Sequence, residues 1–311
     1  MQIWPRKRAK RQYPRVRNWR GSEKTGLLGT IGYKAGMTHV VATDNSKNSM
    51  MKGQKVVIPV TVIECPPVNV IGIRFYKKEG LAKKTVATLF ADKLDKELDR
   101  KTIIRSKGEE SKEFDDVNAV IQTNPKLTGI GKKKPEVLEV AVGGKTKEEK
   151  LEFLKSILGK EIKVSDILNV NHIDVRGVSK GKGFQGTVKR FGIPLLPHKT
   201  EKGVRGIGTL GPWHPNKVAF TVAQPGRMGY HTRVEYNKKI VLIGTELEKV
   251  NPKGDFVGYG KVRNDYLLLK GSVVGPRKRA LVLTHPIRPN PKINEEKYDS
   301  IKISISSKQG N

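Results

Sequence analysis

Residues 59–65 read Pro59-Val-Thr-Val-Ile-Glu-Cys65, a nearly unbroken apolar run inside a strand-like stretch from Val56 to Glu64. A strand with one wet face alternates apolar and polar residues. A run without alternation fits a strand covered on both faces or closed into a barrel. Working outward, Leu27–Tyr33 and Val68–Tyr76 share this richness in Val, Ile and Thr, and Pro66-Pro67 marks a break between strands. The pattern returns at His172–Val178, Lys239–Thr245, Lys270–Gly275, Arg279–Leu283 and Ile301–Ile305. The two ends of the chain therefore build one β core. Cys65 is the single cysteine and reads as a small core hydrophobe, which excludes an intrachain disulfide framework and a zinc site built on several cysteines.

Residues 85–165 have a different character. Asp92–Arg100 alternates charges around Leu94 and Leu98 and predicts an exposed helix. Val117–Gln122 and Val137–Val142 read as strands. Thr146-Lys-Glu-Glu149 is a capping box that opens a helix with Leu151, Leu154 and Leu158 on one face, closed by Gly159. This segment is expected to be an α/β insertion with its own small core.

Charge bounds the function. In 311 residues, 61 Lys and Arg face 30 Asp and Glu, giving +31 and a pI near 10.1. Such an excess repels itself unless a polyanion is near. The charge is uneven. Residues 1–24 hold nine basic residues and one acidic, and 171–240 hold 13 and three, whereas 85–170 hold 17 and 16. No stretch approaches the roughly 18 apolar residues of a membrane span, and neither one-signed segment can form a basic amphipathic helix. No signal peptide is expected, and a reducing cytosol fits the lone cysteine.

The N-terminal segment shows no helical or strand period. It reads either as a disordered basic tail or as an arm that orders on nucleic acid. Arg6, Lys7, Arg8, Lys10, Arg11, Arg15, Arg17 and Arg20 are candidates for phosphate contacts, and the interleaved Trp4 and Trp19 for base stacking. On this reading, deleting residues 1–20 spares the fold. Residues 177–229 contain eleven glycines, five prolines and one acidic residue, Glu201, so neither helix nor long strand is expected there. A loop of this length is either functional or ordered from outside. Its basic candidates are Lys180, Lys182, Lys189, Arg190, Lys199, Lys202, Arg205, Lys217, Arg227 and, just beyond, Arg233. His198, His214 and His231 can bond phosphate or backbone. Trp213, within Gly211-Pro-Trp-His-Pro215, is either packed under its own loop or presented on a stiff tip as a stacking surface.

Other chemistries fail on context. Gly181-Lys-Gly-Phe-Gln-Gly186 and Gly206-Ile-Gly-Thr-Leu-Gly211 match a dinucleotide fingerprint, but neither continuation reads as a helix. Gly143-Gly-Lys-Thr146 lacks the leading glycine of a phosphate loop and has Glu139 in that place. The six histidines fit no recurrent metal spacing. No catalytic residue, cofactor or metal is therefore assigned. The rival functions are an RNA-modifying enzyme and a free-standing basic RNA-packaging protein.

In combination, several motifs resemble the ribosomal protein L-three family. They are Asp174-Val-Arg-Gly-Val-Ser-Lys-Gly-Lys-Gly-Phe-Gln-Gly186, Gly208-Thr-Leu-Gly-Pro-Trp-His-Pro215, Pro225-Gly-Arg-Met-Gly-Tyr-His231, Pro5-Arg-Lys-Arg-Ala9 and Gly29-Thr-Ile-Gly-Tyr-Lys-Ala-Gly-Met-Thr-His39. The basic arm, the insertion and the modest length resemble the archaeal form. The resemblance implies a mainly β protein: a six-stranded translation-protein β-barrel with an α/β insertion, a long irregular finger loop and a basic N-terminal arm. The implied division is an arm over 1–25, a barrel core over 26–84 and 166–311, an insertion over 85–165 and a finger over 177–232. It further implies a cytoplasmic, ribosome-bound structural protein of the large subunit that binds 23S-type rRNA and joins assembly early. Its finger would reach towards the peptidyl transferase centre with Trp213 at the tip. Neighbouring large-subunit proteins, the L-fourteen family among them, are the implied partners, with no membrane and no homo-oligomer. The eukaryotic finger carries a modified histidine after a Lys-Thr pair. Here Lys199-Thr200 is followed by Glu201, so that feature does not carry over.

Overall fold

The computed structural model describes residues 5–111, 113–294 and 296–306, and Trp4 lies outside them. The chain is mainly β. Its strands are β1 (Gly26–Leu27), β2 (Gly29–Asp44), β3 (Lys55–Glu64), β4 (Val68–Glu79), β5 (Ala82–Phe90), β6 (Asp116–Thr123), β7 (Val137–Gly143), β8 (Glu161–Ile162), β9 (His172–Val178), β10 (Gly181–Gln185), β11 (Gly226–Gly229), β12 (Thr232–Gly244), β13 (Tyr266–Lys270), β14 (Ala280–Thr284) and β15 (Tyr298–Ile303). The helices are α1 (Lys147–Ile157), α2 (Val164–Ile167), α3 (Thr187–Phe191) and α4 (Pro291–Asn294).

Antiparallel pairings run β2–β3–β13–β12–β9–β14 and return from β14 to β2, so six strands close into a ring. β2 serves three partners: its first residues pair with β14, its middle and end with β3, and its last residues with β15. The apolar run that opened the sequence reading lies on β3, where every residue from Val60 to Glu64 is buried. Close packing inside the ring leaves no room for a side chain at Gly32. A Cβ there would stand 2.5 Å from Ile63 Cγ2 and 2.8 Å from Cys65 Sγ.

A second sheet runs β1-β7-β6-β4-β5, with β8 against β4. β4, expected with the core strands of 26–84, therefore pairs with β5, β6 and β8 instead. Pro66-Pro67 explains the departure: neither residue can donate to a ladder, so the chain leaves the ring directly after β3. The expectation that the insertion has its own small core is also corrected. Val117, Ala119, Ile121, Leu138, Val140 and Leu154 belong to the same continuous core as Val60, Ile63 and Leu268 of the ring. Only a small cluster of Ile71, Leu98 and Val120 stands apart. The seam is polar at one point. The Tyr33 hydroxyl on β2 donates to Glu136 Oε2 (2.5 Å), and Thr123 Oγ1 donates to the same oxygen (3.1 Å).

Three local expectations change. The helix predicted over Asp92–Arg100 is a single 3₁₀ turn over Lys96–Arg100, capped by Asp95, and its Leu98 is buried rather than exposed. No strand follows the prediction over Lys270–Gly275: β13 covers the preceding residues and ends at Lys270, and Gly271 (φ +80°) turns the chain after it. Finally, the N-terminal segment is not free of the body. Tyr13, Pro14 and Val16 are buried, Trp19 packs against the core, and the Tyr13 hydroxyl donates to the Val137 carbonyl (3.0 Å). By contrast, the helix start at Thr146 follows the sequence: its hydroxyl accepts from Glu149 N–H (3.2 Å).

Candidate nucleic-acid interface

β9 ends at Val178 and β12 begins at Thr232, and these two residues face each other. Everything between them hangs from two adjacent strands of the ring. β10 and β11 carry the ladder outward as an antiparallel pair. Gly229 makes this possible: its φ is +72°, and a Cβ there would come within 2.0 Å of the Lys180 carbonyl oxygen. The Gly181–Gly186 fingerprint thus lies on a hairpin strand, not on a parallel βαβ unit. Its continuation is the five-residue α3, ended by Gly192 in the left-handed region. No helix was expected there; the local pattern of Val188, Phe191 and a closing glycine supports one turn but no more.

Residues 192–225 contain neither helix nor strand. The Arg190 guanidinium bridges the two legs, donating to the carbonyls of Gln224 (2.6 Å) and Arg227 (3.1 Å). Leu196 N–H to the Val204 carbonyl (2.9 Å) and the Thr187 hydroxyl to the Arg205 carbonyl (3.3 Å) add local ties. Every residue from 208 to 221 is exposed. Trp213 is 80% exposed, which removes the reading in which it packs under its own loop.

The structure brings the start of the chain to this stretch. Ala9 N–H donates to the Tyr230 carbonyl (2.9 Å), and His231 Nδ1 lies 2.9 Å from the Lys7 carbonyl. Arg6 donates to the Arg190 carbonyl (2.8 Å) and stacks on Phe191, 3.8 Å from the ring centroid. Burial, and then the neighbouring Arg6 charge, pull the Arg190 guanidinium below its ordinary pKa.

Most candidate cations face solvent. Lys7, Arg8, Lys10, Arg11, Arg15, Arg17 and Arg20 of the N-terminal segment are exposed. Lys180, Lys182, Lys189, His198, Lys199, Lys202, Arg205, His214, Lys217 and Arg227 are exposed between β9 and β12. Arg6, Arg190 and Arg233 are half-buried. Two candidates turn inward. His231 is buried and engaged with the arm backbone, and Trp19 lies against the body, where a Cβ on Gly29 would meet its ring at 3.1 Å. Both fasten the start of the chain to the body. Arg11 and Arg15 lie apart from the junction, in a cavity shared with Arg74 and Lys101.

Between 177 and 232 the only acid is Glu201. Carboxylates gather instead on the second sheet, where Lys77–Glu113, Lys83–Asp116, Lys150–Asp116 and Lys155–Glu110 pair at 2.6–3.2 Å. The buried acids elsewhere have structural partners. Glu64 accepts from the Tyr259 hydroxyl, from Arg263 N–H (2.8 Å) and from Asn264 N–H (3.0 Å) and Nδ2 (2.7 Å). Asp174 accepts from the N–H groups of Asn237 and Ile287, both at 2.9 Å. Among the described residues no cluster of His, Cys, Asp and Glu could hold a metal ion. The sequence reading overlooked Phe184, 73% exposed on β10, and Tyr230, whose ring has the guanidinium groups of Arg8 and Arg279 at 5.4 and 5.2 Å. Each follows a glycine, with Lys182 two positions before Phe184 and His231 directly after Tyr230.

Ring and charge together define a class: a mainly β protein bearing an acid-poor, cationic surface of the kind that phosphates attract. Comparison with known proteins makes the class particular. The family model described as Ribosomal protein L3 matches residues 1–119 and 106–310. The large ribosomal subunit protein uL3 of Methanobrevibacter smithii is 45% identical over 321 residues, covering 98% of this chain and 95% of that protein. Its counterparts in Methanothermobacter thermautotrophicus and Methanocaldococcus jannaschii are 46% and 44% identical, with the same coverage. The chain belongs to the ribosomal protein L3 family, a family of structural ribosomal proteins and not of enzymes.

Proposed function

We propose that this chain is a structural constituent of the large ribosomal subunit that binds 23S-type rRNA directly and works in the cytoplasm as part of the ribosome. The six-stranded ring is read as the translation-protein barrel, and the second sheet with α1 as the insertion. Residues 177–232 are read as the finger and 1–25 as the arm. Their exposed cations neutralise rRNA phosphates, and their glycines let backbone approach RNA closely. Trp213 stacks near the peptidyl transferase centre, where RNA performs the chemistry. Early assembly and contact with neighbouring large-subunit proteins, the L-fourteen family included, complete the reading.

The observation that carries it is the exposure of residues 208–221 beside an acid-poor cationic junction, with nothing among the described residues to cover them. The test is a salt titration of binding to a large-subunit rRNA fragment and to a shuffled RNA of equal length. Tighter binding to the rRNA fragment is expected, with log K falling by about 0.7 to 0.9 per neutralised phosphate per decade of salt. Equal affinity for the two RNAs contradicts the proposal and favours a free packaging role.

A further inference from the structure

Two cavities lie side by side where the arm meets the β10–β11 hairpin, sharing Arg227, Met228 and Gly229. They differ in chemistry. One, of about 240 Å³, is lined by Arg6, Lys180, Lys182, Arg190, Arg227 and Arg233 among others. The other, of about 440 Å³, is lined by the rings of Phe184 and Tyr230, by Met228 and by Arg8. No acidic residue lines either. Glycine forms the rest of the second cavity, at 181, 183 and 229. Gly183 has a φ of +67° and open space where a Cβ would be, and a Cβ on Gly181 would lie 3.7 Å from Tyr230. The cavity thus stays open because these positions carry no side chains.

The pairing has a specific meaning. A cationic hollow takes a phosphate. A hollow lined by an exposed aromatic ring and an Arg-backed ring suits a flat π-system. Joined, and within the size range of small-ligand sites, they fit one unit that carries both groups. Duplex RNA cannot offer it, because its bases are stacked inside. We propose that this junction captures a single unpaired RNA nucleotide, with its base between Phe184 and Tyr230 and an adjoining phosphate beside Lys182 and Arg227. The inference rests on the RNA-binding reading above and adds a site and a strandedness to it.

The test uses the full chain and a single-stranded RNA hexamer carrying 2-aminopurine, whose fluorescence falls when its base stacks. The same sequence as a duplex is the control. Wild type should quench the probe. Phe184→Ala, at an exposed position that leaves the fold intact by circular dichroism, should abolish the quench. It should also weaken single-strand binding about tenfold while leaving duplex binding unchanged. Phe184→Trp should restore both. Lys182→Gln should keep the quench at saturation and flatten the salt dependence by about 0.7. An undiminished quench in Phe184→Ala, or an equal loss for single strand and duplex, overturns the proposal. The two readings fail separately: rRNA preference in the salt titration can persist when Phe184→Ala changes nothing, and that result sinks the nucleotide site alone.

Discussion

Single residues divide into those that hold the molecule and those that it holds out. Glu64 belongs to the first kind. It sits inside the apolar run on β3 and gathers the hydroxyl of Tyr259, two backbone N–H groups and an amide. Glu64→Ala strands these donors in the interior and should cost roughly 3 kcal/mol or more, read as a lowered urea midpoint. A shift under about 1 kcal/mol would show that water replaces the carboxylate. Trp213 belongs to the second kind. Trp213→Ala should leave the melting temperature of the isolated protein unchanged while impairing large-subunit maturation or translation. A fall of many degrees would mean that the ring packs on the body after all. Cys65 fits its reading as a core hydrophobe: it is buried, and burial pushes its thiol far above the ordinary range. Residue type alone does not place Tyr13 and Trp19. Both sit among arginines, and only the body they dock against shows that one is core and the other a fastener.

Elements whose residues carry a clear period were legible, and those set by partners were not. β3, β6, β7, β9 and the start of α1 follow from apolar runs and caps. β13 was misplaced, because Tyr266–Lys270 and the residues after it are similarly apolar and only Gly271 separates strand from turn. The affiliation of β4 and β5 depended on the direction the chain takes after Pro67, which no local pattern encodes. The arm is now two pieces with different consequences. Deleting residues 1–11 should leave the melting temperature nearly unchanged. Deleting 1–20 removes Tyr13, Val16 and Trp19 from the core and should cost roughly 3–5 kcal/mol, against the sequence expectation that the fold is spared. Equal melting temperatures for the two truncations would restore that expectation. On the second sheet, Asp116 accepts from Lys83 (2.6 Å) and Lys150 (3.2 Å). Burial would raise its pKa, but the lysine contacts outweigh burial and hold the carboxyl below its ordinary 3.8. Its stabilising contribution is therefore full above that value and lost as pH falls through the lowered one. Asp116→Asn should lower the melting temperature at pH 7, with the gap closing as the pH falls below 3.8. A gap that does not change with pH contradicts this.

At the scale of the molecule, charge and order are distributed in opposite senses. Residues 85–170 are nearly neutral, and the second sheet they help to build is laced with ion pairs and continuous with the ring's core. The arm and the stretch between β9 and β12 carry excess positive charge, and residues 192–225 lack regular structure of their own. The distribution of charge was readable in the sequence. That the two segments meet at Lys7–His231 and Ala9–Tyr230 was not, because it depends on contacts over more than 200 residues of chain. The central claim is that this joint surface is where rRNA binds. Amide hydrogen exchange of the full chain, free and bound to a large-subunit rRNA fragment, tests it most directly. In the free protein, exchange should be fast across 192–225 and slow in the ring strands. On binding, protection should appear across 192–225 and the arm, with the second sheet unchanged. Protection that appears on the second sheet while 192–225 still exchanges freely would contradict the account.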